Sequence, residues 1–414
     1  MPDKRPAGFF YGYVVVVAGL VASVLLVGAY TSFGVFFKPL ASEFGWMRAT
    51  TSAATSIASL VMGFSGIPAG RLTDKYGPRM VLVACGLIMG SGILLMSQVN
   101  ALWQLYLFYG VMVGAGMSAA DVPIVATVAR WFVKKRGMMI GITKVGAGIG
   151  IMVVPLLANW LISGYGWRQA YLIIGAITLV GIVLMALLFK RDPGQIGALP
   201  DGATELAAAG STIKTRQFSV KEAMATRQFW IFSAAWFSFM FCMQVVMLHI
   251  VPHITDIGIS PTIAATIVGV IGGFSILGRF GLPSLSDSLG TKATYLISFS
   301  LLVISLVWLQ FATEAWMFYL FAAIYGTAHG GSFALLSPML AGLFGLQSLG
   351  AILGVTLFAG TFGSFISPLL AGRIFDIMGN YRLAFLILVV FSVIGLILIS
   401  LLASPRSRGG RNDS

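Results

Sequence analysis

Apolar runs of about 20 residues, long enough for a helix to cross the hydrocarbon core of a bilayer, follow one another along almost the whole chain. Twelve can be counted, from Tyr13–Phe37 near one end to Leu383–Leu402 near the other. Inside lipid there is no water to satisfy backbone N–H and C=O groups, so each run must satisfy them within itself. The expected fold class is therefore an all-α membrane protein with twelve transmembrane helices. The residue balance agrees: with 58% hydrophobic and 9% charged residues, a 414-residue globule could not cover itself with polar surface. Lys4 and Arg5 precede the first run as they would in a signal peptide. That run is too long, lacks a small-residue cleavage pattern and leads into eleven more, so it is kept as helix 1.

Lysine and arginine orient the helices, because cytoplasmic loops hold them preferentially. With the N-terminus inside, the inner segments carry 19 of the 26 basic residues and the outer segments five, Lys38, Arg48, Arg168, Arg373 and Arg382. Lys144 and Arg279 fall within helices. Both termini are thus expected in the cytoplasm, and the formal charge of +13 faces the anionic lipid of the inner leaflet, with no nucleic-acid partner required. Cys85 and Cys242 lie in the middle of helices from opposite parts of the chain, which argues against a structural disulfide. Outside the helices there is no nucleophile–base motif, metal-ligand cluster or nucleotide loop, so neither an enzyme nor a cofactor or metal is expected.

The polar connection between Lys190 and Arg227, with Pro193, Pro200 and several glycines, reads as a flexible linker. It divides the chain into a six-helix half at 1–190, a cytoplasmic linker at 191–227 and a second six-helix half at 228–414. The halves repeat one another. Asp74 and Gly77 recur as Asp287 and Gly290, 213 residues on, and the same displacement carries Gly137 to Gly350, Gly141 to Gly354, Gly150 to Gly363 and Pro155 to Pro368. Parallel six-helix repeats place a substrate site near the midplane between them, reached from alternate sides as one half rocks against the other. A secondary transporter is the expected class.

The segment Gly70-Arg71-Leu72-Thr73-Asp74-Lys75-Tyr76-Gly77-Pro78-Arg79 resembles the loop between helices 2 and 3 that marks the major facilitator superfamily, with a weakened copy at Asp287 and Gly290. Three further segments narrow the resemblance to the monocarboxylate transporter family and its bacterial relatives, which include oxalate:formate antiporters. These are Ser32-Phe33-Gly34-Val35-Phe36-Phe37, Trp131-Phe132-Val133-Lys134-Lys135-Arg136-Gly137, and Pro368-Leu369-Leu370-Ala371-Gly372 with Asp376, Gly379 and Tyr381. The resemblance implies a proton-coupled carrier of a small monocarboxylate such as lactate or pyruvate, working as a monomer in a bacterial inner membrane. It also implies that Arg279, at the helix-8 position where relatives carry an arginine, holds the substrate carboxylate.

Charge points to the same residue. A charge near the bilayer centre costs roughly 3 kcal/mol on insertion scales, so such groups usually face a cavity and serve a ligand. Asp121, Lys144 and Arg279 each lie about 12 to 14 Å from the cytoplasmic end of a helix, at 1.5 Å per residue. Helices 4 and 5 are sequential and antiparallel, so Asp121 pairs most economically with Lys144, in a gating or structural role. Arg279 is then left for a carboxylate, whose two oxygens match its planar fork. The competing reading pairs Arg279 with Asp121 as an inner gate. Family oxalate carriers use a second cation in helix 11. Leu349 to Pro368 holds no lysine, arginine or histidine here, which favours a monoanion.

Two positions depart from the proton-coupled members, which carry an acidic residue four places before the arginine and a lysine in helix 1; here stand Ser275, one turn before Arg279 and a candidate substrate-binding residue beside it, and Thr31. The proton carrier is left open among Asp121, a histidine and the substrate itself. His329 in helix 10, among small residues, reads equally as cavity lining or as a packed histidine, and His249 in helix 7 is a weaker coupling or gating candidate. Tyr30, Phe333, Phe358 and Phe362, in helices that face the cavity in this fold, are candidates for an aromatic wall, with lipid-facing packing as the alternative. Other classes compatible with the sequence are an organic anion antiporter and, with tails this short much less so, a transporter-like nutrient receptor.

Overall fold

The computed structural model describes residues 10–120, 122–197, 199–201, 218–345 and 347–403. In chain order the spanning helices are α1 (Gly12–Phe44), α2 (Arg48–Tyr76), α3 (Pro78–Met96), α4 (102–120 and 122–131), α5 (136–165), α6 (167–187), α7 (Arg227–Asp256), α8 (Pro261–Leu289), α9 (Thr291–Leu309), α10 (Ala315–Phe344), α11 (Leu349–Met378) and α12 (Arg382–Ser400). α5 and α6 form one continuous element, Arg136–Leu187, turned at Gly166 with φ 81°. The turns after α2 and α8 use the same backbone conformation, at Gly77 (φ 87°) and Gly290 (φ 84°). Only glycine enters that region cheaply, which is why these two glycines recur in both halves.

Three elements depart from a plain apolar helix. α4 passes from a short α-turn into a π-helical stretch, Tyr106–Val113, and then into a 3-10 turn, Ser118–Ala120. At Gly114 an added Cβ would stand 2.7 Å from the Ala58 carbonyl, so this irregular helix lies directly on the α2 backbone. α10 has the length of a span, but Gly326, His329, Gly330, Gly331 and Ser332 lie buried at its middle, so it is not among the nine helices that length and hydropathy alone mark as membrane spans among the described residues, α5 and α6 counting as one. Side-chain caps start the second half: Thr226 Oγ1 accepts from the Phe229 N–H at 3.2 Å, and Ser260 Oγ from the Ile263 N–H at 3.3 Å.

Two apolar cores lie on either side of the linker. One is built from residues between Val15 and Phe189, with Leu248 added; the other from residues between Ala223 and Leu402, with Val35 and Ile151 added. Within each, the repeat has a physical meaning. Gly150 lets α5 lie on α1, where its Cβ would stand 2.5 Å from the Val24 carbonyl. Gly363, its repeat partner, lets α11 lie on α7, where a Cβ would stand 2.6 Å from the Phe237 carbonyl.

Gly150→Val and Gly363→Val are each expected to lower the melting temperature of the detergent-purified protein, by a destabilisation of about 1–3 kcal/mol from overpacking. Gly354→Val, where nothing lies within 4 Å of the added Cβ, is expected to leave it nearly unchanged.

Candidate functional site

Small residues bring α8 and α10 into backbone contact. A Cβ on Gly326 would stand 2.5 Å from the Ile271 carbonyl, and one on Gly278 would stand 2.2 Å from the Thr327 carbonyl. This approach places His329 beside Ser275, with Ser275 Oγ and His329 Nδ1 sharing a hydrogen bond of 3.0 Å. One turn on along both helices come Arg279 and Phe333, with the guanidinium carbon 5.7 Å from the ring centroid. The structure thus brings four of the candidates, Ser275, Arg279, His329 and Phe333, into one cluster.

Two members of that cluster had no signal in the sequence. Trp236 and Phe239 of α7 meet Phe333 edge-on, with centroids 5.4 and 5.5 Å away. In an apolar helix they look like any packing aromatics, and only the docking of α7 on α10 selects them.

Arg279 is the electrostatic centre of this cluster. Its Nε is buried and has no hydrogen-bond partner. The ion pairs among the described residues are Lys38–Asp256, Arg48–Asp256, Arg130–Asp74 and Arg168–Glu43, and Arg279 belongs to none of them. Arg279 lies two turns beyond Gly272, on the face of α8 turned toward α5 of the other half, where a Cβ on Gly272 would stand 2.5 Å from the Met152 nitrogen. Asp121, expected to pair with Lys144, lies outside the described residues.

The remaining candidates stand elsewhere. Tyr30 of α1 accepts a hydrogen bond from Gln244 Nε2 of α7 at 3.1 Å and lies 3.3 Å from Ser59 Oγ of α2, so it joins three helices across the two halves. Phe358 and Phe362 are each two residues, or about 200° of helix, from Gly360, the position facing Trp236. They meet edge-to-face, Phe358 also meets Phe64 of α2, and Phe362 is 40% exposed. Both are on the face of α11 turned away from the Arg279 cluster. His249 is buried at the end of α7 remote from the linker, bonded to Tyr381 Oη at 2.9 Å and 3.3 Å from both Ser52 Oγ and the Pro368 carbonyl oxygen.

The loop motifs behave unequally. Asp74 pairs with Arg130 Nη2 at 2.9 Å, and its carbonyl accepts from Arg191 Nη2 at 2.7 Å. Its copy, Asp287, is exposed and outside these ion pairs, because the position repeating Arg130 is Leu343. Gly70 is half-buried, and Arg79 is exposed beside the turn made by Gly77 and Gly290 in their respective copies.

The halves meet along α2–α11 and α5–α8. Gly148 of α5 faces Ile276, and Thr361 of α11 faces Gly63. Two turns nearer the linker, on the same helix faces, Gly141 and Gly354 have nothing within 4 Å of an added Cβ. The halves are therefore in contact at the middle and far end of the interface and part toward the linker.

A similar fold occurs in a solved protein. A bacterial homologue of the human lysosomal transporter Spinster, solved in an inward-facing and occupied conformation, superposes with a TM-score of 0.73 at 18% identity, covering 95% of this chain and 97% of that one. Monocarboxylate transporter 13 of Rattus norvegicus is 27% identical over 391 residues, 93% of this chain and 87% of the rat protein. Monocarboxylate transporter 11 of Homo sapiens is 27% identical over 394 residues, 91% of this chain and 80% of the human protein. The family model described as Major Facilitator Superfamily matches residues 19–291 and 254–414, and so takes in both halves of the fold and the Arg279 cluster. On this evidence the chain belongs to the Major Facilitator Superfamily.

Proposed function

We propose that this protein is a secondary active transporter that carries a small monocarboxylate, of the lactate or pyruvate type, by alternating access. The observation that carries the reading is Arg279: a buried guanidinium whose Nε has no partner, set against an aromatic ring at the interface of two repeated halves. Leaving such a donor unsatisfied in low dielectric is costly, and a carboxylate satisfies it with parallel hydrogen bonds. Phe333, Trp236 and Phe239 supply an apolar wall for the short carbon end, and Ser275 and His329 supply polar contacts beside it. The monocarboxylate transporters among its relatives support this substrate class.

The moving bodies in this reading are the halves at 1–190 and 228–414, linked by 191–227. The bias of basic residues supports a cytoplasmic linker and cytoplasmic termini in an inner membrane, so the parted end faces the cytoplasm. Proton symport belongs to the same reading, with Asp121, a histidine and the substrate carboxyl as alternative carriers. The one second reading is exchange of organic anions of the oxalate or formate type, which the family motifs support equally.

Arg279→Lys and Arg279→Gln are expected to lower lactate uptake at matched membrane expression by roughly a hundredfold, since two charge-assisted hydrogen bonds are worth about 3 kcal/mol together. Uptake by Arg279→Gln near that of the parent would remove this residue from the site. The two substrate readings separate in a melting experiment on purified protein: the first expects stabilisation by lactate or pyruvate and little by oxalate at equal concentration. Stabilisation by oxalate alone would replace it with the second.

A further inference from the structure

The ion pairs that join one half to the other among the described residues lie at the far end of the interface. Asp256 of α7 meets Arg48 Nη1 at 2.7 Å and Lys38 Nζ at 3.0 Å. The other two, Asp74–Arg130 and Glu43–Arg168, stay within the first half. Arg48 is gripped further: its Nη1 donates to Tyr381 Oη at 2.7 Å, and its guanidinium carbon lies 3.5 Å from the Phe375 ring centroid.

Asp376 adds a different contact. The first N–H groups of a helix have no partner inside it, and Met47, the N-cap of α2, has no side chain that could serve. The carboxylate of Asp376, on α11, accepts the backbone N–H of Arg48 at 2.8 Å and of Ala49 at 2.9 Å. A helix of one half is thus capped by a carboxylate of the other. The fit is close: a Cβ on Gly372 would stand 2.7 Å from the Ala49 Cα.

We propose that Arg48, Asp256 and Asp376 are positioning residues that form a releasable lock, holding the far end shut while the linker end is parted. The lock rests on the reading that the halves rock. It can open because its partners are polar and reach water: the side chains of Lys38 and Asp256 are 40% and 23% exposed, so hydration replaces each bond as the halves separate. An apolar seam would have no such replacement. On opening, Lys38 and Arg48 leave with one half and Asp256 and Asp376 with the other, and α2 exchanges its cap for water.

The test uses the full chain, with Cys85 and Cys242 changed to alanine and one reporter thiol. Ser56→Cys reports the far end, since Ser56 is fully buried, one turn beyond Ser52, and its hydroxyl has no partner to lose. Gly354→Cys reports the linker end. Asp256→Asn and Gly372→Val weaken the closed far end by independent means, one electrostatic and one steric. Each is expected to raise maleimide labelling of Ser56→Cys roughly tenfold, the population shift given by about 1.4 kcal/mol, and to lower labelling of Gly354→Cys. Rates unchanged in both variants, or a rise at both reporters, would overturn the lock. Neither readout involves a substrate, so failure here is separable from failure of carboxylate transport.

Discussion

Helices in lipid gain little by hiding apolar side chains from one another, because the lipid tails are as apolar as leucine. Association has to come from close packing and from hydrogen bonds between helices. This chain meets that constraint with glycines at which one backbone touches the next: Gly150 on α1, Gly363 on α7, Gly326 and Gly278 between α8 and α10, Gly272 on α5. The duplication preserves the first two of these approaches, so Gly150 and Gly363 mark contacts rather than flexible points. Gly141 and Gly354, also repeat partners, are open on the interface faces, which is where the halves diverge.

The same contacts assemble the polar cluster. α10 carries small residues around His329, and this lets it approach α8 closely enough for Ser275 and His329 to bond and for Arg279 to rest on Phe333. A bulkier pair of helices would hold these groups apart and leave each polar group unsatisfied in hydrocarbon. Packing and chemistry therefore depend on one set of small residues. The repeat is not carried through everywhere: Asp74 has Arg130, while the position repeating Arg130 beside Asp287 holds Leu343. Among the described residues the ion pair near the linker stays within one half, whereas the far end also carries pairs that join the two halves.

Much of this was legible in the sequence. Lengths of apolar run fixed the helices, since a span must satisfy its own backbone, and glycine at 77 and 290 announced the turns, since few other residues enter positive φ. The isolation of Arg279 in an apolar stretch singled it out, because a buried charge is too expensive to be incidental. Which aromatics would stand beside it was not legible. Phe333 and Phe358 look alike in an apolar helix, yet one meets Arg279 and the other meets Phe64 on the opposite face of α11, because azimuth around a helix is set by its neighbours. The far-end cluster was equally hidden: Arg48, Asp256 and Asp376 lie far apart in the chain and look like ordinary loop-edge charges. Backbone chemistry and burial cost act locally, so the sequence by itself determined the helices, their turns and the costly charge at Arg279. Partnership between distant side chains depends on how two six-helix bodies are rotated and docked, and only the tertiary structure decided that.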